Sequence, residues 1–101
     1  MHWIICYDVT GDRLRNLTAK ILTKHGCKRV QKSVYAAPFM DKKDLARLQL
    51  DLRRLFAILP PEPADSVLFV PLREELRDKI DVLGHNNILA ELDDPPLQII
   101  L

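Results

Sequence analysis

A chain of 101 residues, 48% of them apolar, has room for one hydrophobic core and not for two. No apolar run is long enough to span a bilayer, and the N-terminus shows no basic, apolar, small-residue signal pattern, so the cytoplasm is the expected location. The net charge of +1 conceals a division: residues 1–60 hold twelve Lys/Arg against five Asp, a net of +7, and residues 61–101 hold three basic groups against nine acids, a net of −6. The first half suits a polyanion and the second does not, unless the basic groups are simply a solvated surface paired with the acidic half. Cys6 and Cys27 form no C-x-x-C pair and are expected to be reduced structural cysteines, with no support for zinc.

The first element is Trp3-Ile4-Ile5-Cys6-Tyr7-Asp8, an apolar run of strand character that stops at a carboxylate. Its composition predicts a strand buried in mid-sheet, with Asp8 at the C-terminal end. There Asp8 is either a turn residue bonded to its own backbone or a functional group. Asp12 is expected to cap a helix running to about His25, whose Leu14, Leu17, Ile21 and Leu22 form one apolar face. Gly26 supplies the left-handed stop. Cys27–Ala37, ended by Pro38, is extended in character, and without a Gly or Asn to mark a turn the local signal prefers one strand to two. Asp41–Leu59 carries the strongest helix pattern, with Asp41 as cap and a stripe of Leu45, Leu48, Leu52, Leu55, Phe56 and Leu59. Pro60-Pro61-Glu62-Pro63 breaks it and acts as a rigid connector.

Ser66–Leu72 reads as a second buried strand, with Pro71 near its end. Arg73–Lys79 should form one or two helical turns and Ile80–Leu83 a short edge strand closed by Gly84. Residues 85–96 read as a loop. Leu97–Leu101 is apolar and extended and needs a sheet edge, which a partner subunit would supply. The whole pattern is that of an α+β sandwich, a four-stranded antiparallel sheet backed by two helices.

There is no Gly-rich phosphate loop, no Ser/His/Asp order and no metal-spaced His/Cys set. His2 and His85 read as surface residues, and His25 as a cation at a helix end. Asp8 and Asp12 are the carboxylates nearest the expected active edge, Asp12 being better explained as a cap. One Asp8 cannot make a demanding metal site, but Mg²⁺ keeps several waters and takes only one or two protein carboxylates. Two copies of Asp8 across a dimer would meet that need, with arginines steadying the phosphate backbone.

Ile5-Cys6-Tyr7-Asp8-Val9-Thr10-Gly11-Asp12-Arg13-Leu14-Arg15, then Gly26, then Lys28-Arg29-Val30-Gln31-Lys32-Ser33-Val34-Tyr35 resembles the second core protein family of CRISPR systems. This is the small endonuclease-fold protein that works beside the integrase in spacer acquisition. Ser66–Leu72 and Ile80–Gly84 fit the same pattern in order and spacing, and Arg29–Val34 is its most specific piece. The resemblance implies a single ferredoxin-like β-α-β-β-α-β domain, with a core over about residues 1–83, a loop over 84–96 and a C-terminal strand over 97–101 that adds to the partner's sheet. It would split Lys28–Ala37 into two strands.

The resemblance also implies a homodimer, CRISPR integrase dimers as partners, and duplex DNA or single-stranded RNA as nucleic acid. It assigns Asp8 as ligand of a Mg²⁺ shared across the dimer and places Tyr7, Arg15, Arg29 and Tyr35 at the active edge. Such proteins are described as Mg²⁺-dependent endonucleases and also as DNA-bridging scaffolds in which nuclease activity is dispensable. This chain departs from the usual pattern in having Gly11-Asp12 for two acids, Tyr35-Ala36 for Phe-Glu, and Leu17 for a basic residue. A related toxin-type endoribonuclease is a further alternative. An RNA-recognition module is disfavoured, because no strand carries the required row of aromatics.

Overall fold

In the computed structural model, which describes residues 1–93, a four-stranded antiparallel sheet is built around β1 (His2–Asp8). β3 (Val34–Ala37) pairs with it on one side and β4 (Ser66–Leu72) on the other, and β2 (Lys28–Gln31) lies outside β3. α1 (Asp12–Lys24) follows β1, and α2 (Lys42–Ile58) joins β3 to β4. This is the expected ferredoxin-like order.

Alternation along β1 sends Trp3, Ile5 and Tyr7 to one face and His2, Ile4, Cys6 and Asp8 to the other. Ile5 and Tyr7 meet Leu14 and Leu22 of α1 and Leu45, Leu48 and Leu52 of α2 in the main core, with Tyr35 from β3. Burial of each such large apolar side chain contributes about 1.5–3 kcal/mol. The helices are further joined by a 2.7 Å contact between His25 Nε2 and Asp51 Oδ2. Gly26 follows α1 with φ of +83°, as its helix-stop reading requires. Asp41 caps α2 by accepting a hydrogen bond from the Asp44 amide at 2.8 Å.

Several local expectations are corrected. Gly11, not Asp12, is the cap residue of α1, and it makes no side-chain capping bond. The Asp12 carboxylate lies in the first turn and pairs with Arg15 instead. Lys28–Ala37 forms two strands, not one. A turn at Lys32-Ser33 needs no Gly because the central strand holds it: the Tyr7 amide donates to the Ser33 carbonyl at 3.0 Å, and a register shift between Arg29 and Gln31 takes up the bend.

β4 is an edge strand rather than a buried one, with Leu68 58% and Val70 39% exposed. Ile80–Leu83 is not a strand, and the stretch read as a loop contains a short helix, α3 (Ile88–Glu91). Glu74–Lys79 forms the expected helical turns, in 3₁₀ geometry. Arg77 ties these turns to α3, donating from Nε and Nη2 to the Leu89 carbonyl at 3.3 and 2.9 Å. Asn86 Nδ2 donates to the Val30 carbonyl of β2 at 2.8 Å.

His2 is buried, not a surface residue. Its Nδ1 accepts from the Phe39 amide at 3.1 Å, and its ring packs edge-on against Phe39. The predicted C-terminal strand, Leu97–Leu101, lies outside the described residues. No helix among those described is long and apolar enough to cross a membrane.

Candidate nucleic-acid interface

Asp8 ends β1, exposed, directly across from Ser66 at the start of β4. Its carboxylate makes no hydrogen bond or ion pair among the described residues, so the self-bonded turn reading has no support there. Two neighbouring acids, by contrast, are engaged. Asp12 holds Arg15, and Asp65 holds the loop that follows Asp8.

That loop, Val9–Gly11, is held by Asp65 on one side and approached by Arg15 on the other. Asp65 Oδ1 accepts from the Thr10 amide at 3.0 Å and from the Thr10 hydroxyl at 2.8 Å, while Oδ2 accepts from the Glu62 amide at 2.9 Å. Burial alone would push the Asp65 carboxyl up, but the Glu62 amide and the Thr10 donors outweigh it and leave its pKa below the usual range. On the other side Arg15 Nη1 lies 3.5 Å from the Val9 and Thr10 carbonyls, long for a hydrogen bond. Val9 is buried and anchors the loop to the core.

A second cluster joins Tyr7, Arg29 and Tyr35. The Arg29 guanidinium sits over the Tyr35 ring, 5.2 Å from its centroid, and the Tyr7 and Tyr35 rings are 6.0 Å apart. Interaction with the Tyr7 hydroxyl raises the Arg29 pKa, and Tyr35 acts in the same direction against the opposing effect of burial; like any arginine it stays charged. Burial raises the Tyr35 pKa, with the neighbouring Tyr7 acting in the same direction. Both tyrosines are buried on the helix-covered face, whereas strand alternation puts Asp8 on the other face. The five residues assigned to the active edge thus fall into three places: Asp8 exposed at the strand end, Arg15 against its own loop, and Arg29 stacked on the tyrosine pair.

No group of three or more His, Cys, Asp or Glu side chains among the described residues could hold a metal ion. The free Asp8 carboxylate fits Mg²⁺ only as half of a paired site, with water completing the ion's shell. An open cleft of about 470 Å³ lies between α2 and β4, with Leu52, Phe56, Val67 and Phe69 as its apolar walls and Gln49, Arg53, Asp65 and Ser66 as polar lining. Sequence reasoning missed Asp65 altogether. It follows a Pro-rich connector, and the only local signal was an acid placed one residue before a strand.

The profile of the CRISPR-associated protein Cas2 family matches residues 1–80. Two relatives from Synechocystis sp. (strain ATCC 27184 / PCC 6803 / Kazusa) align over 99 residues, covering 98% of this chain and 97% of theirs. One, named CRISPR-associated endoribonuclease Cas2 2, is 33% identical, and the other, named CRISPR-associated endoribonuclease Cas2 3, is 30% identical. Among solved structures, Streptococcus pyogenes Cas2 superposes with a TM-score of 0.67 at 21% identity, covering 83% of this chain and 100% of that one. A chain from a partial Cas6-RT-Cas1–Cas2 complex superposes with a TM-score of 0.68 at 23% identity, covering 99% of this chain and 98% of that one. These two likenesses establish the shared fold. A profile that spans most of the sequence, together with relatives aligned along nearly all of it, shows that the chain belongs to the CRISPR-associated Cas2 family.

Proposed function

We propose that this chain acts in CRISPR spacer acquisition as a homodimeric, Mg²⁺-dependent phosphodiesterase that partners the integrase, with Asp8 of each copy as the metal-binding carboxylate. The observation that carries this reading is the free Asp8. It is an exposed carboxylate at the end of the central strand, without a structural partner among the described residues, whereas the nearby Asp12 and Asp65 are both engaged. A bound Mg²⁺ would supply charge neutralisation at the phosphate and an activated water. The chain itself contributes a strand end that carries Asp8, and Arg29, whose guanidinium is positioned over the Tyr35 ring and suits phosphate contact. Because the relatives are named endoribonucleases, single-stranded RNA is the first substrate to try and duplex DNA the second.

A second reading, a DNA-bridging scaffold without catalysis, draws support from the Cas1–Cas2 assembly in which a similar fold occurs. Incubating the purified protein with RNA and with duplex DNA, in Mg²⁺ or in chelator, separates the two. Cleavage that requires Mg²⁺ and is lost in Asp8→Ala supports the phosphodiesterase. Duplex binding with no cleavage by either protein supports the scaffold, and cleavage unchanged by Asp8→Ala rejects the metal-ligand assignment.

A further inference from the structure

We infer that Asp65 is the positioning residue of the Asp8 site, holding the chain that leaves β1 so that the Asp8 carboxylate keeps one direction. This rests on the reading of Asp8 as metal ligand. β1 and β4 pair in an unbroken register that ends at Asp8 opposite Ser66. Past that point the ladder has no further rungs, and Asp8 would stand on a fraying strand end. Asp65, the residue just before Ser66, reaches across this gap and takes both donors of Thr10, two residues beyond Asp8, on a single carboxylate oxygen. Its other oxygen is fixed by the Glu62 amide, so the carboxylate cannot swing away with the loop.

Asp8, in the last rung of the β1–β4 ladder, is therefore followed two residues on by a side-chain rung that Asp65 makes to Thr10. Two bonds to an ionised acceptor are stronger than the neutral backbone pair they replace. A carboxylate that must share an ion with a second copy gains from such fixing, since a ligand that wanders by an ångström loses affinity and rate. No atom of Asp65 needs to touch substrate.

The test uses the full chain and three readouts: amide hydrogen exchange at Thr10, Mn²⁺ affinity followed by water-proton relaxation, and cleavage kinetics in Mg²⁺. Asp65→Ala should speed Thr10 exchange by about tenfold or more, weaken Mn²⁺ binding about five- to twentyfold, and lower kcat by a similar factor with KM within about twofold. Asp65→Asn keeps an oxygen for Thr10 but turns its NH2 toward the Glu62 amide, so it should recover only part of the affinity, and Thr10→Val, which loses one of the two bonds, should likewise fall between the native chain and Asp65→Ala. These two milder variants cover the case in which Asp65→Ala fails to fold. Thr10 exchange unchanged in Asp65→Ala would overturn the tether. Faster exchange with unchanged Mn²⁺ affinity would overturn its role in positioning Asp8. If Asp8→Ala itself leaves Mn²⁺ affinity unchanged, the metal-ligand reading fails and the positioning role falls with it, even where exchange shows the tether to be real.

Discussion

Asp8, Asp12 and Asp65 are the same residue type within one corner of the fold, yet they do three different things. The difference is set by which donors the backbone brings to each. Asp65 receives three, Asp12 meets a guanidinium one turn along its helix, and Asp8 receives none among the described residues. Sequence alone could rank Asp8 above Asp12 but could not see Asp65, because its Thr10 partner is 55 residues away. His2 shows the same limit. As a lone histidine at the chain start it carries no signal of burial, and only the return of the chain at Phe39 makes it an acceptor in the interior.

Burial holds the His2 pKa below its ordinary 6.5, against the opposing pull of Glu74. A base with a depressed folded pKa binds fewer protons folded than unfolded, so its contribution to stability is full above 6.5 and is lost as pH falls below that value. Denaturant titrations at a series of pH values between about 7 and 5 should show this loss in the native chain and a flatter profile in His2→Asn. A slope identical in the two proteins would remove His2 as its source.

At the level of elements, the sequence was most legible where pattern and capping agreed. α2 is the clearest case, since Asp41 supplies the capping bond that its position predicts and Leu45, Leu48 and Leu52 are buried on one stripe. Asp41→Ala should cost about 1 kcal/mol. That corresponds to a melting temperature lower by about 4–8 °C in a chain of this size, measurable by thermal denaturation.

Legibility failed where long-range pairing decided the outcome. Nothing in Gln31-Lys32-Ser33-Val34 marks a hairpin locally, and the turn exists because Ser33 meets Tyr7 and Val34 meets Cys6 on the central strand. Ser66–Leu72 looks like a core strand by composition, but its place at the edge leaves Leu68 and Val70 exposed. Those apolar positions were visible in the sequence, whereas their lack of cover was not. α1 starts one residue earlier than expected, since Gly11 takes the extended cap backbone and Asp12, already in the first turn, pairs with Arg15.

For the molecule as a whole, two surfaces bear on assembly. One is the side of the sheet opposite α1 and α2, where Leu68 and Val70 lie across from Cys6 and Ile4. If the proposed homodimer uses this side, Leu68→Glu should shift sedimentation toward monomer at micromolar concentration while circular dichroism stays native. A dimer of unchanged strength would place the interface elsewhere. The other surface is the basic outer side of α2, where Arg53 and Arg54 are exposed. Charge reversal at both should weaken duplex DNA binding and reduce the slope of log K against log salt by about 0.9 for each phosphate no longer neutralised. An unchanged slope would leave these arginines as solvated surface only.

If the Asp8 carboxylate, unpaired among the described residues, makes this fold a metal-dependent nuclease as proposed, the most direct measurement is Mg²⁺-titrated cleavage of single-stranded RNA by the native chain and by folded Asp8→Ala. Loss of an outer-shell partner alone typically costs about 10–100-fold, so removal of the ligand itself should lower the rate by about 100-fold or more. Asp8→Ala cleaving at the native rate, with the same Mg²⁺ dependence, would show that Asp8 is not the metal ligand.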